Sequence, residues 1–193
     1  MKILLFLLVL LLPAPALSQG NPTSYIRANV DAVVAILTDP ELAGEENRDE
    51  QLRRIEGMVD NFFDAEELSK RSLGQYWRIF TEEQRQEFQP LFLKLIKQVY
   101  LRKSISYNNE VVHYNQEIIK SDTLAEVYTT LTSPTLNVPI IYYMIRKDAS
   151  WKVYDVSVEN VSLVKNYRSQ FRSILQNNSP DHLIATLREK TNE

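Results

Sequence analysis

The sequence predicts an α+β fold: helices first, then a four-stranded antiparallel sheet, then helices again. Three observations carry that expectation. Apolar residues recur at helical spacing from Pro22 to about Ile105, the period switches to two between Val111 and Val158, and helical spacing returns from Val161. The links between the alternating segments are only a few residues long, which suits hairpins and not crossovers.

The helices can be placed one by one. Tyr25–Leu37 puts Ile26, Val30, Val33, Val34 and Leu37 on one stripe and is stopped by Asp39-Pro40. After a charged connector, Asp49–Phe63 groups Leu52, Ile55, Val59, Phe62 and Phe63. Asp64 is then a predicted N-cap with Glu67 completing a capping box, opening a short helix that ends near Leu73-Gly74. Thr81 and Gln84 repeat the device and open the longest helix, whose stripe is Phe88, Leu91, Phe92, Leu95, Ile96, Val99 and Tyr100. Pro90 lies inside it and is expected to weaken and kink it, which makes this helix a candidate movable wall against the sheet.

Four strands follow, over Val111–Gln116, Leu124–Thr132, Val138–Arg146 and Trp151–Val158. The third is apolar on both faces, Ile140, Tyr142 and Met144 against Ile141, Tyr143 and Ile145, and so wants cover on both sides. Glu159-Asn160 must turn the chain from the fourth strand into a helix carrying Val161, Val164, Tyr167, Phe171, Ile174 and Leu175 on one face. Ser179-Pro180 caps a last helix with Leu183, Ile184 and Leu187.

Composition bounds the function. Lys2, the ten-residue apolar run Ile3–Leu12 and the small-residue stretch Pro13–Ser18 predict a secretory signal peptide over residues 1–18, removed on export, ahead of a single domain over 19–193. That run is half the roughly 20 residues a membrane span needs. Removing Lys2 leaves 21 basic against 25 acidic residues, a net charge of −4, so no nucleic acid is expected as a partner. With no cysteine there is no disulfide and no thiol chemistry. The two histidines, His113 and His182, lie in no ligand-spaced cluster, and the four glycines form no phosphate-cradling motif, so neither a metal nor a cofactor is expected. Asp155, between Tyr154 and Val156, is the one carboxylate whose setting suggests burial and a perturbed pKa. A hydrogen-bond acceptor at a strand end explains it better than a general base.

The order and spacing of several short motifs resemble the MlaC-like family of periplasmic phospholipid-binding proteins, also called the toluene-tolerance family. The residues that carry the resemblance are Phe63-Asp64, Leu73-Gly74, Trp77-Arg78 and Thr81-x-x-Gln84-Arg85 with Phe88. They continue with Val138-Pro139, Trp151–Val156, Val161-Ser162-Leu163 and Asn166–Phe171. The sequence departs from the pattern at Asn160, where the family usually has Gly, and at Ile141, Tyr143 and Ile145, where more polar residues are usual.

The resemblance implies a curved cystatin/NTF2-like sheet wrapped by helices. It also implies a periplasmic, non-enzymatic shuttle that exchanges phospholipid with an inner-membrane ABC transporter complex and an outer-membrane lipoprotein complex. On that reading the acyl tails lie between a sheet face bearing Val127, Thr129, Leu131, Ile140, Tyr142 and Met144 and helices bearing Phe92, Leu95, Val99, Val164, Tyr167 and Phe171. Roughly thirty methylenes at ~0.8 kcal/mol each would cost on the order of 20–25 kcal/mol if left in water, so a carrier must enclose them. Two alternatives belong to other classes: an enzyme on the same fold using Asp155, which Asp155→Asn would silence, and a ligand-free protein-binding module, which would lack a ligand-sized cavity.

Overall fold

The computed structural model describes residues 20–104 and 109–192. The predicted signal peptide and the predicted end of the longest helix at Ile105 lie outside the described residues.

The first helix, α1, spans Pro22–Leu37 and begins on Asn21, whose side chain accepts the Ser24 N–H at 2.7 Å while Pro22 occupies a first-turn position. Two short 3-10 turns, Pro40–Leu42 and Glu45–Asn47, occupy the charged connector before α2, Arg48–Phe62. Helix α3, Ala65–Leu73, is capped by Asp64, whose carboxylate accepts the Glu67 N–H at 2.8 Å. The reciprocal half of the predicted capping box does not form. The Asp64 N–H donates instead to the Val153 carbonyl at 2.8 Å, and the Glu67 carboxylate is engaged by Arg71 at 3.0 Å. Gly74 ends the helix at φ 57, a conformation that suits glycine.

A 3-10 segment, Gly74–Ile79, leads to α4, Glu82–Ser104. Here the capping box is complete. The Thr81 N–H donates to the Gln84 side-chain oxygen at 3.0 Å, and the Gln84 N–H donates to the Thr81 hydroxyl at 3.2 Å.

The sheet holds β1 (Val111–Ser121), β2 (Leu124–Ser133), β3 (Leu136–Lys147), β4 (Ser150–Val158) and β5 (Val161–Ser162), antiparallel and in chain order. Strand β1 runs five residues beyond the predicted Gln116. Its register shifts between Tyr114 and Gln116 and again between Ile119 and Ser121, and each shift breaks the strict alternation that marks a strand. The short β5 is a fifth strand where four were expected. Val161 pairs with Val158 and is not part of the helix; α5, Leu163–Leu175, begins two residues later with Ser162 as its cap. Glu159 and Asn160 both adopt positive φ, 50 and 66, the conformation of a two-residue hairpin turn. Helix α6, Pro180–Thr191, closes the fold.

Two packed clusters result. One is wholly helical: Leu68, Phe88, Phe92, Phe171, Leu183 and Leu187 are among its buried members, from α3 to α6. The other joins α1 to the sheet through Ile26, Ala125, Val127, Met144, Trp151 and Val153. Helix α1 lies across β1 and β2, whereas α2, α3 and α5 meet β4. Helix α4 packs chiefly on α6, α3 and α2. The helices packed most closely on the sheet are therefore α1, α2, α3 and α5, and the Pro90-containing helix is not among them.

Candidate functional site

Residues directly opposed across an antiparallel ladder share a face. Pairing Val112 with Leu131, Tyr114 with Thr129, Val127 with Tyr142 and Ala125 with Met144 thus defines one face of the sheet, continued by Ile140 against Val158. All six predicted sheet residues lie on it. At one end of this face α1 closes down. Ile26, Val127 and Met144 are fully buried, and the Glu117 carboxylate is held by the Thr23 N–H at 2.9 Å and hydroxyl at 2.6 Å. At the other end the face is left open. Val112, Leu131, Val138 and Ile140 are only half-buried and belong to neither cluster, while Leu136 and Val158 are exposed. The turns of α1 after Val30 carry Val33, Val34 and Leu37, which are also half-buried and outside both clusters.

The Tyr142 phenol is pushed up to about 12, chiefly by burial, against a hydrogen bond with Thr129 that lowers it. Burial likewise raises Tyr114, whose ring lies 3.9 Å beneath the Arg27 guanidinium. Both phenols therefore stay neutral at physiological pH, and the surface is chemically suited to hydrocarbon with a few hydroxyls.

The six predicted helix residues are elsewhere. Phe92, Leu95, Val164, Tyr167 and Phe171 are buried in the helical cluster, and Val99 packs against it. The ring centroids of Phe92 lie 4.9 Å from Tyr167 and 5.0 Å from Phe171, both edge-on, the geometry of a filled core. Leu95, Val99, Tyr167 and Phe171 also line a cavity of about 420 Å³ between α4, α5 and α6, rimmed by polar side chains including Gln98, Asn166 and Lys190. The two halves of the predicted site thus stand on two separate apolar surfaces. The packing of α1 on the sheet face was not legible in the sequence, because a helical stripe tells which residues are buried and not what they are buried against.

Asp155 is buried. Its carboxylate accepts from the Ser162 hydroxyl at 2.6 Å and from the Val164 N–H at 2.9 Å, so it ties the start of α5 to β4. Burial raises its pKa, and these two hydrogen bonds act to lower it. It is a hydrogen-bond acceptor, as the sequence suggested, but it stands within β4 and not at the strand's end. Among the described residues no group of His, Asp or Glu is arranged to hold a metal ion, and no helix is long and apolar enough to cross a membrane.

The sequence model of the MlaC protein matches residues 27–189. The chain belongs to the MlaC family. A toluene tolerance protein, ttg2D, of Pseudomonas putida is 31% identical over 132 residues, 67% of this chain and 60% of that protein. The intermembrane phospholipid transport system binding protein MlaC of Haemophilus influenzae is 24% identical over 137 residues, covering 68% of this chain and 64% of its own. The matched stretch thus spans less than two thirds of either relative. Among solved structures, a phospholipid-binding protein from Ralstonia solanacearum, in complex with a phospholipid, superposes with a TM-score of 0.77 at 24% identity, over 90% of this chain and 98% of that one. That likeness supports the α+β architecture with a curved, unclosed antiparallel sheet and flanking helices.

Proposed function

We propose that this MlaC-family chain is a periplasmic phospholipid carrier, exported with loss of residues 1–18 and active as one domain. It takes lipid from one membrane complex and yields it to another, an outer-membrane lipoprotein complex and an inner-membrane ABC transporter, without chemical change to the lipid. The names of its relatives are those of a binding protein and a tolerance protein, which accords with carriage and not with catalysis. The observation that carries the reading is the uncovered apolar end of a sheet face whose other end is sealed by α1. In this reading the tails lie on Leu131, Ile140 and their half-buried neighbours, with Val127, Thr129, Tyr142 and Met144 forming the floor towards the sealed end. The helical cavity lined by Leu95, Val99, Tyr167 and Phe171, with Phe92 and Val164 supporting its wall, is a second and separate place for an acyl chain.

An eight-residue stretch of strand is about 26 Å long, against about 15 Å for the hydrocarbon of one leaflet, so the sheet can hold a tail along its surface. The headgroup remains in water and needs no buried counter-charge. The test is transfer. Residues 19–193 mixed with donor vesicles containing labelled phospholipid and unlabelled acceptors should move label to the acceptors in proportion to protein. Absence of both uptake and transfer rules the carrier reading out.

A further inference from the structure

The exposed face of α5 is basic, and among the described residues no carboxylate forms an ion pair with it. Lys165, Arg168 and Arg172 recur at helical spacing, with Ser169, Ser173 and Gln176 beside them, all exposed, and together they bound a shallow groove of about 390 Å³. At 1.5 Å per residue the three cations run about 10 Å along the helix. From Leu163 to Leu175 there is no Asp or Glu, in a chain whose net charge is −3. Cations on the earlier helices are matched, Arg48 by Glu45, Arg53 and Arg54 by Glu50, and Lys97 by Asp60. Among the described residues, none of the three on α5 forms an ion pair. Arg168 donates to the Arg71 carbonyl at 2.8 Å, which holds its guanidinium in place and leaves its charge uncancelled. The carboxylate that acts on Lys165 is Asp155, which is buried and held by Ser162 and Val164.

We propose that this face docks the protein, transiently, on an anionic phospholipid bilayer surface. Protein interfaces are organised around central aromatic or aliphatic anchors, and this face has none, only cations, hydroxyls and an amide. A bilayer asks for no matching shape, because its negative potential is spread over the plane and attracts each basic residue near it. The docking is argued from charge alone, so it can fail while lipid carriage stands, and the reverse.

The test is flotation of residues 19–193 with vesicles of phosphatidylcholine, with and without a third of phosphatidylglycerol, at low and high salt. The protein should float with the anionic vesicles and not the neutral ones, and high salt should release it. Lys165→Gln with Arg172→Gln, which leaves the Arg168 contact intact, should weaken partitioning by about tenfold or more. Arg53→Gln with Arg54→Gln, the same change in charge on α2, should have little effect. Melting temperature checks that each variant is folded, and labelled-lipid uptake from neutral vesicles reports carriage separately. Equal flotation with neutral vesicles overturns the proposal. So does no flotation with either vesicle, or a loss in the α5 variant no greater than in the α2 control.

Discussion

The Ser162 hydroxyl donates to Asp155 at 2.6 Å and accepts the Lys165 N–H at 3.0 Å, so a single side chain joins the end of the sheet to the first turn of α5. The Asp155 carboxylate completes the joint by accepting the Val164 N–H, at the end of the helix where a negative group is favoured. Asp155→Asn leaves one of the two donors facing an amide nitrogen. It should cost about 1–3 kcal/mol and lower the melting temperature by several degrees, with lipid occupancy unchanged. Burial raises this carboxyl above 3.8, so the folded state holds the proton more tightly than the unfolded one. The associated stability is present below the unfolded value and is lost as pH rises through the folded value. The advantage of the native protein over Asp155→Asn should therefore narrow as pH climbs through the range above 3.8, which paired thermal melts at several pH values would show.

Leu131 and Met144 share a sheet face but not a setting. Leu131 is half-buried at the open end, and Met144 is fully buried under α1. Leu131→Trp should displace lipid and leave the melting temperature within a few degrees. Met144→Trp overfills a closed core and should cost about 1–3 kcal/mol or more. Lipid extraction beside thermal melts separates the two effects. Full lipid occupancy in Leu131→Trp would place the tails elsewhere.

Opening must involve α1 if the sheet holds the tails. Thr23→Ala removes the hydroxyl that clasps Glu117 and should speed lipid release measured by transfer to acceptor vesicles. Pro90→Ala restores a backbone donor in α4, which packs chiefly on other helices. It should leave the transfer rate unchanged and the protein no less stable. A slower rate with Pro90→Ala and no change with Thr23→Ala would make α4 the gate instead.

Gly74 sits at φ 57 with the Arg168 side chain 3.5 Å from where a Cβ would be. Gly74→Ala should destabilise by about 1 kcal/mol through backbone strain, read as a lower denaturant midpoint. The Arg168 guanidinium should keep its bond to the Arg71 carbonyl, since a Cβ 3.5 Å away is in ordinary van der Waals contact.

Local chemistry was readable where it is self-contained. The Thr81 and Gln84 box, the Asp64 cap and the Glu159-Asn160 turn each rest on residues a few positions apart, and each is present. The second half of β1 was hidden because a bulge after Tyr114 sets Glu117, Ile118 and Ile119 out of alternation. The spacing of Val161 to Val164 fits a helix, while its actual partner is Val158 across a turn. The larger miss is tertiary. The α1 stripe of Ile26 and Val30 and the α4 stripe of Phe88 and Phe92 look equivalent as patterns, yet the first covers the sheet and the second fills the helical cluster. Periodicity assigns a buried face and leaves its partner undetermined.

Carriage is tested most directly by native mass spectrometry of the protein taken from a bacterial periplasm, with lipid extraction from the same sample. The account predicts a mass above that of residues 19–193 by one or more phospholipids, and recovery of those lipids on extraction. Apoprotein alone, which then takes up no lipid from vesicles, would contradict it.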